Sequence, residues 1–344
     1  MAIEIIGTGR AVPPKRVSND DLAAQLDTSD EWIRSHTGIG NRHIADESVA
    51  SSDLAVEAAK NALAMAGGYT GTDLAERDRV AGEMAKTIDA IVLATATADF
   101  FGTPSTACIV QDRIGANRAA AMDITAGCTG FIYSMETAAG LLCVSEERKR
   151  ALVICSEVLT RMTNWDDRGS CVLFGDGAGA VVMEKTGAEG KTGLLRSILC
   201  ADGSGSGSLL MRRGGSRNPF KKGEVVNESI WLEMNGQEVY NFAVKAIADT
   251  VNALMAAGNY NADVISRIIP HQANARIVQA AAKRLKIPLE KFYLNIEEYA
   301  NTSSASIPLA LDELNRSGQL KKGDIILTVG FGGGLTYGGN IIIW

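Results

Sequence analysis

The chain has 344 residues, and its 40 Asp and Glu outweigh 34 Lys and Arg, for a formal charge of −6. With 46% hydrophobic residues it can bury a large core, and at roughly 150 residues per domain it holds about two domains' worth of chain. The acidic balance argues against a general nucleic-acid binder, and the absence of an apolar run of about 18 residues argues against a membrane span.

The amino-terminal stretch MAIEIIG lacks the basic segment and long apolar run of a secretory signal, and reads as a strand at 3–8. A helix follows at 52–66, where apolar residues recur at helical spacing, then a polar and charged excursion at 67–86. Strands at 89–97, 120–125, 150–156 and 180–184 alternate with helices at 105–114 and 129–142. The segment 202–222 is Gly- and Ser-rich and then basic, with Arg212, Arg213, Arg217, Lys221 and Lys222; it reads as a loop that could meet an anionic partner or simply be solvated. Helices at 237–257, 275–285 and 304–317 then alternate with strands at 265–270, 291–296, 324–329 and 340–344. Strands alternating with helices predict an α/β fold with a largely parallel sheet covered on both faces.

The two halves match each other at a common offset. Cys155 and Thr328, each closing a strand, stand 173 residues apart, as do Cys128 and Asn301. The strands at 89–97 and 265–270 repeat at nearly the same distance. Two copies of one unit, with a site at their junction, explain this better than chance does.

Six cysteines form no C-x-x-C pair and three histidines have no metal-ligand spacing, so neither a zinc site nor a redox pair is expected. Most of the cysteines lie in apolar runs, as befits buried, reduced thiols in a cytoplasmic protein. Cys128 stands apart. In DITAGCTG (123–130) a strand enters a tight turn and a helix begins at the cysteine, where unpaired N–H groups and the helix dipole favour a thiolate of lowered pKa. That would make it a nucleophile; a buried structural cysteine is the plain alternative. His271, in PHQAN, ends a strand, where α/β sheets place ligands. Asn301, in NTSSAS, occupies the position equivalent to Cys128. Alone, these two could be a core imidazole and a helix cap; placed symmetrically with Cys128, they read as two donors facing one pocket. Residues 330–334 (GFGGG) could turn backbone N–H groups toward a developing oxyanion. The Cys-His-Asn set also occurs in cysteine hydrolases, but AGCTG lacks their signature. GDGAG at 175–179 lacks the G-x-G-x-x-G register of a dinucleotide site and precedes a strand-like run.

Taken together, the motifs resemble those of the thiolase-fold condensing enzymes, most closely the β-ketoacyl-acyl carrier protein synthase III family. The resemblance covers nearly the whole chain: Gly7-Thr8-Gly9, DTSDEWI at 27–33, Arg168-Gly169, FGDGAGA at 174–180, PHQANAR at 270–276, NTSSASIP at 301–308 and FGGG at 331–334. It implies a five-layered αβαβα fold from duplicated halves, 1–185 bearing the nucleophile and 186–344 bearing His271 and Asn301. Cys128 would take the acyl group of an acyl-CoA primer, with the Cys128 and Gly333 N–H groups as oxyanion hole. His271 and Asn301 would stabilise the enolate formed as malonyl-acyl carrier protein loses CO2, beside an apolar Phe331 that favours release of a neutral product. No metal or organic cofactor is implied.

By the same resemblance Trp32 would stack on the CoA adenine with Arg168, Thr28 and Gly169 nearby, while Gly236 and Asn274 line the pantetheine tunnel. His36 departs from the pattern, which often has an arginine there for the CoA phosphates. Arg276, Lys283 and Arg284 follow His271 on one predicted helix and would meet an acidic carrier protein. Thr103, where acetyl-restricted members often carry a bulky Phe, predicts a roomier acyl pocket for branched or longer primers. That segment comes from the partner subunit in the family, which implies a homodimer. A same-fold enzyme of secondary metabolism with another acceptor is the alternative.

Overall fold

A computed structural model describes residues 2–187, 192–226 and 229–344. Five strands form the first half-sheet: β1 (Ala2–Ala11), β2 (Ala90–Ala94), β3 (Ala120–Ile124), β4 (Arg150–Glu157) and β5 (Gly177–Thr186). Their spatial order is β3-β2-β4-β5-β1, with β2 parallel to both β3 and β4, and β5 antiparallel to β4 and β1. The second half contributes β6 (Gly193–Ala201), β7 (Ile265–Pro270), β8 (Ile325–Gly332) and β9 (Thr336–Ile343), in the order β7-β8-β9-β6. Here the outer pair, β7 and β8, is parallel and the remaining pairings are antiparallel. Among the described residues, the pairing of Ile3 with Gly193 joins the two sheets edge to edge.

The expected strand at 291–296 is not formed. One bridge, Ile268 with Phe292, survives between a 3-10 turn and a short helix (Ile296–Tyr299). Side chains take over the pairing: Asn295 N–H donates to Gln272 Oε1 (3.2 Å) and Asn295 Nδ2 to Glu313 (2.7 Å). This pulls the chain off the sheet edge and toward Asn301.

Helices α1 (Asp30–Thr37), α2 (Ser51–Ala66), α3 (Leu74–Ala85), α4 (Gly130–Cys143), α5 (Gly236–Gly258), α6 (Ala275–Leu285) and α7 (Ser306–Arg316) complete the frame. The Ala-rich α2 lies on β1, β4 and β5, with Ala55, Ala58, Ala59 and Ala62 fully buried. α5 covers β8 and β9 on the far side, with α6 packed against it. Between them, α4 and α7 each touch strands of both halves, giving helix, sheet, helix, sheet, helix in five layers. Phe131, Ile132 and Met135 of α4 share one buried core with Leu309, Leu311 and Leu314 of α7 in this central layer. Each such side chain contributes about 1.5–3 kcal/mol by leaving water. The stripe explains why the residues after Cys128 are apolar on nearly every side: α4 is a core helix with sheets above and below it.

Several local readings change. The segment 67–86 contains α3, whose Ala81 and Ala85 are buried against α2. Strand β6 escaped notice because Arg196 and Ser197 break its apolar run. Within the basic loop, Leu209–Met211 pairs with Leu232–Met234 as a two-stranded ribbon, and Arg212 and Arg213 are paired with Glu233 and Glu224. Of the six cysteines, all free, Cys155 and Cys171 are buried, Cys128 and Cys200 are half-buried, and Cys108 and Cys143 are exposed. No helix among the described residues is long and apolar enough to cross a membrane.

Candidate active site

Strand β3 ends at Ile124, and Cys128 sits in the 3-10 turn Gly127–Thr129 that leads into α4. Two glycines make the turn possible. Gly127 adopts φ +51°, and a Cβ on Gly332 would lie 2.5 Å from the Cys128 nitrogen. The backbone at 332–333 thus presses directly on the cysteine. Thr129 Oγ1 locks the arrangement, 2.6 Å from Ala126 O and 2.8 Å from Thr336 Oγ1 in the opposite half.

His271 follows β7 and is held by its own N–H, which donates to Val329 O of β8 (2.8 Å). Its ring is buried, with Nδ1 2.8 Å from Ser306 Oγ and the Phe331 ring edge-on at 5.3 Å between centroids. Asn301 is tied to the first half, since its N–H donates to Leu173 O (3.0 Å) and its carbonyl accepts from Gly175 N–H (3.1 Å). Its side-chain Oδ1 accepts from Ser303 N–H at 2.8 Å, which leaves the NH2 end as the donor for anything bound in front of it. The turn around it is tight, with Ala300 and Ser303 both at positive φ, 56° and 49°.

Burial sets the charge state of the pair. It pushes the Cys128 thiol up to about 12, with the negative charge of Glu157 adding to the rise and a Ser303 hydrogen bond opposing it. Burial likewise takes His271 down to about 3. The expected lowered thiol pKa is therefore corrected: α4 begins beyond the cysteine, at Gly130, and an anion in an enclosed site is costly. At neutral pH the resting pair is a neutral thiol and a neutral imidazole. Glu157 lies fully buried behind them, accepting from Ser304 Oγ (2.6 Å), Ala96 N–H (3.0 Å) and Thr97 Oγ1 (3.0 Å), and its own pKa is raised by burial.

Cys128, His271 and Asn301 line one cavity of about 530 Å³, together with Phe331, Gly333, Gly169, Gly236 and Asn274. Its remaining walls are mostly apolar and include Leu159, Met162, Leu209, Leu232, Met234 and Leu335. His36 and Asn274 lie at one end, where Asn274 caps α6 and donates to His36 O (3.0 Å). Trp32, on α1, stacks on His36 with centroids 4.5 Å apart, and the Arg168 guanidinium carbon lies 5.1 Å from the Trp32 ring centre. Arg168 Nη1 also donates to Asp27 O (2.7 Å), and the buried Thr28 Oγ1 has no hydrogen-bond partner among the described residues. Arg276, Lys283 and Arg284 are exposed on α6. Thr103 is exposed on a surface loop and does not line the cavity of its own chain.

Comparison with known proteins accords with this geometry. Residues 122–203 match the family model for 3-oxoacyl-[acyl-carrier-protein (ACP)] synthase III, and residues 255–344 match the model for its C-terminal part. The β-ketoacyl-[acyl-carrier-protein] synthase III of Clostridium perfringens is 48% identical over 340 residues, 98% of either chain. The chain belongs to the β-ketoacyl-[acyl-carrier-protein] synthase III family. Among solved structures, the synthase III of Aquifex aeolicus superposes with a TM-score of 0.86 at 38% identity, each chain fully covered. The priming β-ketosynthase of the R1128 polyketide pathway superposes with a TM-score of 0.85 at 31% identity, covering 99% of this chain and 96% of that one.

In this synthase III chain, buried hydroxyls and a carboxylate stand behind the three central residues. Ser303, Ser304 and Ser306 sit in the NTSSAS run and are all buried, and Glu157 closes strand β4. Three serines in an otherwise apolar neighbourhood were the available signal, since a buried hydroxyl needs a partner.

Proposed function

We propose that Cys128, His271 and Asn301 carry out the decarboxylative condensation of an acyl-CoA primer with malonyl-acyl carrier protein, the step that starts fatty acid synthesis. The protein is an acyltransferase. The observation that carries the residue assignment is the convergence on one mostly apolar cavity of a thiol, an imidazole and a carboxamide, the last with its NH2 end left free to donate.

Acyl-CoA enters first, and the Cys128 sulfur bonds to the thioester carbon while the proton of the thiol leaves with the CoA sulfur. The Cys128 and Gly333 N–H groups hold the oxyanion. The malonyl thioester then places its carbonyl oxygen between Asn301 and His271, which stabilise the enolate as CO2 departs past Phe331. A dry pocket favours loss of the malonyl carboxylate as a neutral molecule. The enolate carbon attacks the acyl group, and the cysteine is released. The chemistry draws on these side chains alone, so no cofactor is called for.

Trp32, Arg168, Thr28 and Gly169 would receive the CoA nucleotide, with Gly236 and Asn274 along the pantetheine. Because His36 and Arg168 already lie against Trp32, an adenine has to displace or share one of them. The exposed Arg276, Lys283 and Arg284 would dock the acidic carrier protein. A homodimer would form along the edge strand β3 and cover Phe100 and Phe101, which are 55% and 82% exposed, bringing Thr103 to the acyl pocket of the second copy. The halves 1–185 and 186–344 would be the duplicated units, and the enzyme would work in the cytoplasm. The secondary-metabolic alternative is less supported, since the polyketide priming enzyme shares 31% of residues against 48% for the Clostridium perfringens synthase.

Intact-mass spectrometry after mixing with acyl-CoA tests the assignment. The expected result is one acyl group per chain, absent from Cys128→Ala and removed by malonyl-acyl carrier protein. An adduct that persists in Cys128→Ala contradicts it.

A further inference from the structure

The hydroxyl of Ser306 faces Nδ1 of His271. Ser306 Oγ has one hydrogen and two lone pairs to share among three neighbours. These are Gln272 N–H at 3.3 Å, Ser303 C=O at 2.9 Å and His271 Nδ1 at 2.8 Å. The amide can only donate and the carbonyl can only accept. The Ser303 carbonyl also accepts the Ser306 N–H, and its second lone pair faces the hydroxyl. All three hydroxyl contacts are satisfied together in one way: the hydroxyl donates to Ser303, one lone pair takes the Gln272 N–H, and the other faces Nδ1, which then brings its own hydrogen.

We infer that Ser306 fixes His271 as the Nδ1–H tautomer, leaving a bare lone pair on Nε2, and is thereby a positioning residue for proton transfer at Cys128. The far side of the ring agrees. Nε2 is buried and has no hydrogen-bond partner among the described residues, so a hydrogen placed there in the resting enzyme would be an unsatisfied buried donor. The frame around Ser306 is rigid. It is buried at the start of α7, and Gln272 is held by its side chain, whose Nε2 donates to Pro270 O (2.7 Å) and Tyr293 O (3.1 Å). The same hydroxyl therefore fixes both where the imidazole points and what it can accept.

The consequence rests on the reading of Cys128 as the acylated residue. In acylation the Cys128 S–H proton moves to His271 Nε2 as the sulfur bonds to the thioester carbon. It then passes from Nε2 to the CoA sulfur as the carbon–sulfur bond breaks, and His271 is again Nδ1–H. For condensation, Nε2 has nothing to donate until it takes one proton from solvent, the proton that the overall reaction consumes. With it, His271 donates to the enolate oxygen beside Asn301. When the new carbon–carbon bond expels Cys128, the same proton returns the sulfur to a thiol.

The full-length enzyme carrying 15N-labelled histidine provides the direct test. The NMR signals of His271 are those missing from His271→Gln. In the free enzyme they are expected to show a protonated Nδ1 and an unprotonated Nε2; a protonated Nε2 overturns the inference. In Ser306→Ala, acylation by acyl-CoA is expected to slow about 10- to 100-fold at unchanged KM, less than the fall of about 10⁴ that follows reversal of a histidine tautomer in a serine-protease triad. Ser306→Thr, which keeps the hydroxyl, is expected to recover most of that rate. A Ser306→Ala variant that melts like wild type and acylates within about twofold of it also overturns the inference. The NMR result is independent of substrate: a wild-type enzyme that never acquires an acyl group would sink the reading of Cys128 while leaving the tautomer assignment standing.

Discussion

Replacing Asn301 with alanine separates the two half-reactions, because its side chain has one structural and one chemical bond to lose. Structurally, Oδ1 accepts from Ser303 N–H at 2.8 Å, and truncation leaves that buried amide without a partner, a cost of about 1–3 kcal/mol in stability. Chemically, the NH2 end is one of two groups proposed to hold the enolate oxygen. Removing one preorganised donor of this kind lowers kcat by about 10²–10³. The proposed acylation of Cys128 would use the N–H groups at 128 and 333 instead, and is expected to stay within about threefold of wild type. The assay is a pair of single-turnover measurements on one preparation: acyl transfer from acyl-CoA by intact mass, then CO2 release on adding malonyl-acyl carrier protein. Thermal unfolding measures the structural loss separately. If acylation and decarboxylation fall together, or CO2 release survives within a few-fold, Asn301 does not act on the enolate.

Gly332→Ala is expected to abolish acylation while the chain still folds, since the added Cβ would stand 2.5 Å from the Cys128 nitrogen and displace the nucleophile; intact mass with acyl-CoA checks it. Stability should depend on pH at both ends. His271, held at about 3 in the fold against about 6.5 when unfolded, contributes stability fully present above pH 6.5 and lost as pH falls toward 3. Cys128, raised from 9.0 to about 12, contributes stability present below pH 9 and lost as pH rises toward 12. Denaturant midpoints across pH should therefore lose part of their acid-side slope in His271→Gln and part of their alkaline-side slope in Cys128→Ala. Lys283→Glu combined with Arg284→Glu should raise the KM for malonyl-acyl carrier protein about tenfold, more at low salt, and leave acylation by acyl-CoA unchanged. With Thr103 at the proposed pocket, isobutyryl- and octanoyl-CoA should turn over within about tenfold of acetyl-CoA; strict acetyl preference would contradict that role.

The three residues that share the cavity were legible because each ends a strand or stands in a turn of small residues, and because Cys128 and Asn301 share the 173-residue offset of the matching strands. The α/β layering followed from the alternation of short apolar runs with helical patterns. What escaped depends on tertiary surroundings. The charge state of Cys128 could not be read from its place near a helix start, because burial raises the thiol and the helix begins beyond it. Residues 291–296 have the composition of a strand, yet hydrogen bonds from Asn295 to Gln272 and Glu313 draw them off the sheet. Ser306 was hidden in a run of small residues, and only the three groups around its hydroxyl give it a role.

The most direct check of the condensation mechanism is the fate of the acyl group on Cys128 in a single turnover with malonyl-acyl carrier protein. One CO2 and one β-ketoacyl-acyl carrier protein are expected for each acyl-cysteine discharged. Discharge by water, with free acid formed and the malonyl group intact, would contradict it.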